Sequence, residues 1–225
     1  MLKIENVDVI GWEAAIRGMR NPMNSWGKCD TTWRTKFSDG QTLITPYKYM
    51  SDSKLDIGPN DHDLMMRLRN AGTDHRKFMR MITVYLDIMA PLYWWKEFDT
   101  YKVSTVANSC STMHKIADKE FTLDDFSYEY LNEKSLYMLN DTIQYLNSVR
   151  EVFIETKDKR YWWQMIQLLP SSYNQRRTIM LNYEVLTNIY KSRRNHKLDE
   201  WHTFCDWIER LPYSELITGE KKGDK

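Results

Sequence analysis

The segment Ile82–His114, ITVYLDIMAPLYWWKEFDTYKVSTVANSCSTMH, constrains the fold of this chain more than any other stretch. Its first seven residues alternate, with Ile82, Val84, Leu86 and Ile88 on one side and Thr83, Tyr85 and Asp87 on the other. A period of two is that of a strand with one buried face. Ala90-Pro91 ends the strand. Pro91 suits a helix start, because the N–H it lacks would have no partner inside the helix, and LYWWKEFDTY reads as that helix. VSTVANSCSTMH is rich in hydroxyl and amide side chains and poor in helix formers, so it reads as an irregular loop. A strand, an aromatic helix and a polar loop in succession make a candidate ligand site.

The flanking sequence places further elements around this segment. Residues 2–10 alternate loosely and predict a first strand, and Trp12 to Met19 a brief helix stopped by Asn21-Pro22. The polar, punctuated text of residues 25–60 predicts an extended excursion with little regular structure. Asp61 is placed to cap a helix carrying Leu64, Met65, Leu68 and Ala71, with Gly72 closing it. After the central segment, FTLDDFSYEY (121–130) reads as a short strand or turn. Leu136, Leu139, Ile143 and Leu146 predict an amphipathic helix over 133–153, and YWWQMIQLL (161–169) a buried helix ending at Pro170. Residues 174–192 read as a long helix, and Leu198, Trp201, Phe204, Ile208 and Leu211 as a last one. The tally of a few strands and about six helices gives α+β. Residues 1–217 read as a single domain, and 218–225 as a disordered tail.

Composition excludes several function classes. With 32 basic against 31 acidic residues, no global field favours nucleic acid or an anionic membrane. The basic run KSRRNHK (191–197) fits a helix C-terminus, where cations gather. Eight glycines, with neither GxGxxG nor GxxxxGK, argue against a phosphate-cradling loop. Cys29, Cys110 and Cys205 lie far apart and odd in number, which fits a reducing cytoplasm and gives neither disulfide framework nor zinc pattern. The five histidines show no ligand spacing, so no metal is expected. The opening MLKIENVDVIGW interrupts its apolar residues with acids and does not read as a secretion signal, and no run reaches membrane-spanning length.

Two stretches together resemble the flavin-dependent thymidylate synthase family (thymidylate synthase complementing proteins). The family's pattern RHRxxSxNExSxRY follows a strand and an Ala-Pro-type helix start. Here it falls on Thr100-Tyr101-Lys102, Thr105, Ala107-Asn108, Cys110 and Thr112-Met113. The stretch LPSSYNQRRTIMLNYEVLTNIYKSRRNHKLDEW is similar to the family's LP…N-A-R-S-L-x-N-F…R…H…W segment. It keeps Leu169-Pro170, Asn182, Leu186, Asn188, Arg193 or Arg194, His196 and Trp201 in order. GTDHRKF (72–78) resembles the family's G-H-x-x-x-F and brings in His75.

The resemblance implies a flavin-dependent thymidylate synthase-like α+β fold with a small sheet, in a homotetramer whose active sites lie between subunits. It implies methylation of the small-molecule nucleotide dUMP to dTMP, with carbon from methylenetetrahydrofolate and hydride from FAD reduced by NADPH. By the same resemblance Lys102, Thr105, Asn108, Asn182 and Asn188 bind cofactor, and Cys110, Ser111 and Arg194 bind substrate; no side chain is assigned to catalysis. The pattern is degenerate. Thr100, Lys102 and Thr112 stand where the family has arginines, Asn108 replaces its glutamate, Met113 its last tyrosine, and Glu184 a later arginine. Arginine holds phosphate with a planar, always-charged fork, and each such contact is worth roughly 1.5–3 kcal/mol. A chain without two or three of them must use other groups, Arg176, Arg177, Arg193 or Arg194, or has lost the reaction and serves as a binding or interaction protein.

Overall fold

In the computed structural model, which describes residues 2–219, seven strands and nine α-helices make an α+β fold. β1 (Lys3–Ile10) and α1 (Trp12–Arg20) precede β2 (Thr32–Lys36), β3 (Thr42–Thr45), β4 (Lys54–Asp56) and α2 (Pro59–Asn70). β5 (Thr83–Pro91) runs into α3 (Leu92–Phe98), followed by β6 (Val106–Ser109) and the single turn α4 (Thr112–Lys115). α5 (Glu133–Thr156) and α6 (Lys159–Leu168) pack on each other. β7 (Asn174–Asn182) runs into α7 (Tyr183–Arg193), and α8 (Asp199–Glu209) and α9 (Glu215–Thr218) follow. Two sheets form, ordered β1-β5-β7-β6 and β3-β2-β4. The described residues fall into two compact units, 2–8, 85–180 and 197–204 in one and 9–84, 181–196 and 205–219 in the other. Of the expected tail, 220–225 lie outside the described residues.

The first unit is built on the four-stranded sheet. The alternation read from sequence holds in β5: Leu86, Ile88 and Ala90 are buried, while Tyr85 and Met89 face out. Pro91 takes an extended backbone and hands the strand directly to α3. There Trp94, Trp95 and Phe98 turn inward and meet Trp201 and Phe204, with ring centroids 4.8–6.4 Å apart. Aromatic pairs at such distances prefer the edge-to-face and offset geometries seen here. The loop expected after α3 instead contains an edge strand. β6 pairs antiparallel with β7, setting Val106 opposite Met180, Ala107 opposite Ile179 and Asn108 opposite Thr178.

Residues 174–192 correct the sequence reading most. A single long helix is expected there, and the structure has a strand followed by a helix. Gln175, Ile179 and Leu181 are buried at alternating positions, a strand period hidden by the polar residues between them. Asn182 then caps α7, its Oδ1 accepting from the Val185 N–H at 3.0 Å. α5 buries Leu139, Ile143 and Leu146 on one face, as predicted, and Val149 as well, while Leu136 is half-buried; Ile116, Phe121, Phe126 and Met165 join this cluster. α6 departs from its expected burial: Met165 alone is buried, and Trp163 is 44% exposed. The 121–130 segment is a 3-10 turn at Leu123–Asp125, capped reciprocally by Thr122, with Phe126 bridging Tyr173.

In the second unit, residues 25–60 are more regular than the sequence suggests, because β2, β3 and β4 form an antiparallel sheet. Beside Trp33, its hidden positions carry hydroxyls: Thr35 Oγ1 and the Oγ of Ser53, just before β4, meet at 2.7 Å, both buried. Hydrophobic patterning cannot see such a core. Asp61 does not cap α2. Gly58 and Pro59 open the helix, and Asp30 accepts from the N–H groups of Asn60 and Asp61 at 2.9 and 3.0 Å. Asp61 is fully buried, accepting from Arg20 Nε (2.6 Å), the Thr31 hydroxyl (2.7 Å), the N–H groups of Thr31 and Asp30, and the Cys29 thiol. Gly11 has φ +92°, and a Cβ there would lie 2.0 Å from the Met81 carbonyl oxygen. α7 is buried along almost its whole length, from Tyr183 through Thr187 and at Ile189 and Tyr190.

Candidate functional site

Beyond α3 the chain turns back on itself. The Tyr101 N–H donates to the Phe98 carbonyl, and Ser104 adopts the left-handed region at φ +60° before β6 begins. The turn encloses a hollow of about 260 Å³ lined by Phe98, Asp99, Tyr101, Lys102, Thr105 and Ala107. Two residues expected to bind cofactor, Lys102 and Thr105, thus share one cavity. The Thr105 hydroxyl is buried and has no hydrogen-bond partner among the described residues, whereas the Lys102 side chain is exposed. Beside them Arg177 lies 4.2 Å over the Trp95 ring, donates to Gln175 Oε1 at 2.9 Å and pairs with Asp99 at 2.7 Å.

Asn108 faces the other way. Its partner across the β6–β7 ladder is Thr178, on the open face of the sheet. That face carries a polar network around Asp87, which accepts from Thr178 Oγ1 (2.6 Å), Arg176 Nη2 (2.8 Å) and Asn6 Nδ2 (2.8 Å). These donors, Thr178 first, hold the Asp87 carboxyl well below the usual carboxylate range.

A second cavity, of about 420 Å³, opens beside the end of β6, lined among others by Met89, Cys110, Ser111, Lys119, Tyr173 and Arg176. Its size falls within that of small-molecule sites. Cys110 is pinned by its backbone: its N–H donates to the Arg176 carbonyl and its carbonyl accepts from Gln175 Nε2, both at 2.9 Å. Ser111 caps α4, its Oγ accepting from the His114 N–H. Cations and anions are matched around this cavity, with Lys115 on Asp118, Lys119 on Asp125 and Arg176 on Asp87. Tyr173, which lines it, has its phenol pushed up by burial.

The remaining expected residues lie in the second unit. Asn182 is buried, with Oδ1 engaged by the α7 cap. Asn188 is exposed and its Oδ1 is 3.4 Å from Arg76 Nη2. Arg194 lies 5.5 Å over the Tyr190 ring. Glu184, where the family pattern has an arginine, receives two guanidiniums, Arg76 at 3.3 Å and Arg80 at 2.5 Å. Sequence reasoning missed both arginines. They stand on a 3-10 helix, Arg76–Met81, in the GTDHRKFMR stretch whose polar residues offer no helical period.

Neither a protein-family model nor any curated protein matches this sequence. Solved structures do match. Thymidylate synthase X (ThyX) of Helicobacter pylori, with FAD and dUMP, superposes with TM-score 0.65 at 16% identity, over 97% of this chain and 98% of that one. A second Helicobacter pylori flavin-dependent thymidylate synthase complex with FAD and dUMP gives 0.61 at 16%, over 96% and 99%. The UMP/dUMP methylase PolB of Streptomyces cacaoi, bound with 5-Br dUMP, gives 0.63 at 12%, over 97% and 95%. At these identities the likeness shows the fold: this chain is built like the flavin-dependent thymidylate synthases.

Proposed function

We propose that this chain methylates a pyrimidine nucleotide with the help of a flavin, carrying the one-carbon unit of methylenetetrahydrofolate to C5 of dUMP to give dTMP. One observation carries the reading from fold to residues: the buried, unpartnered Thr105 hydroxyl shares its hollow with the Lys102 ammonium. A buried hydroxyl without a partner costs about 1–3 kcal/mol, which an acceptor on a bound ligand would restore. The donor set, one ammonium and one hydroxyl, fits a phosphate oxygen of FAD. At about 260 Å³ the hollow takes one part of that cofactor and not the whole. When bound, FAD reduced by NADPH supplies the hydride that completes the methyl group.

The work of the chain is to bind and orient. Lys102 and Thr105 hold the cofactor from their hollow, and Asn108, on the opposite face of β6, keeps only the binding role that the resemblance implies. Cys110 and Ser111 face the nucleotide, Ser111 keeping its O–H free to donate while its oxygen caps α4. Asn182, Asn188 and Arg194 keep the binding roles that the resemblance implies. Assembly as a homotetramer is part of the same reading, supported by the exposed Tyr85, Met89 and Val106. The unpaired cysteines support a cytoplasmic setting.

A specific observation favours a second reading. Arg176 and Arg177, the guanidiniums nearest the two cavities, already hold Asp87 and Asp99 of their own chain. A scaffold whose cations are internally neutralised suits a nucleotide- or flavin-binding protein that no longer performs the reaction. Two measurements separate the readings. FAD should co-elute with the protein at tens of micromolar, with affinity about tenfold weaker in Lys102→Ala. Conversion of dUMP to dTMP with FAD, NADPH and methylenetetrahydrofolate, and rescue of a thymidine-requiring bacterium, mark the enzyme. Flavin binding without dTMP leaves the binding protein, and no flavin binding ends the enzyme reading.

A further inference from the structure

A third cavity, also about 420 Å³, lies at the turn between α5 and α6. Phe153, Ile116 and Trp162 give it an apolar wall and Lys157 and Lys159 a cationic rim, and His114 and Asp118 also line it. The Trp162 ring is fixed in place, since its Nε1 donates to the Met113 carbonyl at 2.9 Å and its centroid lies 4.8 Å from that of Trp163 in an edge-to-face pair. Ile116 and Asp118 separate this cavity from the one beside Cys110.

The charges here are uneven. Nearby cations have acceptors: Lys115 pairs with Asp118, Lys119 with Asp125, Arg160 with Asp158, and Arg150 donates to the Ala117 carbonyl. Lys157 and Lys159 have no carboxylate within ion-pair distance among the described residues. Each also stands where local preference would choose another residue. Lys157 closes α5 at φ +56°, a left-handed position that favours glycine or asparagine. Lys159 opens α6, where the helix dipole disfavours a cation, and its ammonium rests 5.9 and 5.8 Å over the Trp162 and Trp163 rings. The α5 dipole accounts for a cation at 157, but for none at 159.

We propose that this cavity binds a small aromatic anion, its ring against Phe153 and Trp162 and its phosphate or carboxylate between Lys157 and Lys159. Lysines suit this as compact point charges on flexible stems, and the aromatic wall supplies a flat apolar surface. The site is separate from those of the proposed methylation and does not depend on that reading.

Calorimetric titration of the full chain with phenyl phosphate tests it, with inorganic phosphate and phenol as charge-only and ring-only probes. Phenyl phosphate should bind with Kd of about 1 mM or tighter, and each partial probe at least about tenfold more weakly. The double variant Lys157→Asn, Lys159→Gln should lose at least about tenfold in affinity for phenyl phosphate while keeping its thermal midpoint. Trp162→Leu should weaken phenyl phosphate more than inorganic phosphate. Equal binding of phosphate and phenyl phosphate, unchanged affinity in the double variant, or no binding at all would each overturn the proposal.

Discussion

Asp87 shows how much one side chain can tie together. It sits on β5, accepts from Asn6 on β1 and from Arg176 and Thr178 on β7, and so joins three strands across the open face of the sheet. Its carboxyl titrates below its ordinary 3.8 in the folded protein, chiefly through Thr178, then Arg176 and Asn6. A depressed folded pKa gives stability that is present above the unfolded value and lost as pH falls through the folded one. Thermal midpoints followed from pH 6 downward should therefore drop more steeply below about pH 4 for the parent than for Asp87→Asn. Above about pH 5 the gap between the two should stay constant. The alternation of Tyr85, Asp87 and Met89 puts Asp87 on the outer face from sequence alone. Its partners were not legible, because Arg176 and Thr178 lie in a stretch that reads as helix.

At the level of elements, that misread stretch is instructive. Both long strands of the first sheet pass straight into helices, β5 through Pro91 and β7 through Asn182. The first junction is readable, since proline announces it. The second is not, because an asparagine between two apolar residues looks like any polar helix position until its cap is seen. Loss of the cap in Asn182→Ala should cost about 1 kcal/mol in urea denaturation. The Arg20–Asp61 pair sets a larger scale. Asp61→Ala would leave the Arg20 guanidinium buried without its counter-charge, and should cost about 3–5 kcal/mol by the same measurement. Sequence placed Asp61 at a helix start, since aspartate favours that position. The fold uses Asp30 for the cap and keeps Asp61 inside.

For the whole molecule, the fold was legible through order rather than identity. The strand at 82–88, Ala90-Pro91, Leu169-Pro170 and the later asparagines carried the resemblance to flavin-dependent thymidylate synthases, and at the level of fold the superposition on one of them spans nearly the whole chain at 16% identity. Ligand contacts were far less legible, because a phosphate site depends on where side-chain tips meet, and Arg76 and Arg80 meet Glu184 across more than a hundred residues. The proposed self-assembly would use the open sheet face, where Tyr85 and Val106 are exposed. Light scattering should give a mass that is a multiple of 27.1 kDa, falling to a smaller species in the double variant Tyr85→Asp, Val106→Asp. A parent that scatters as a single chain would remove the tetramer from the proposed function.

Gly11 joins the first strand to the first helix with the Met81 carbonyl oxygen 2.0 Å from where a side chain would begin. Every alternative amino acid has its first carbon at that same point, so size and polarity cannot matter there. A randomised codon at position 11, sorted for soluble protein, should therefore return glycine alone, with alanine rejected as firmly as tryptophan.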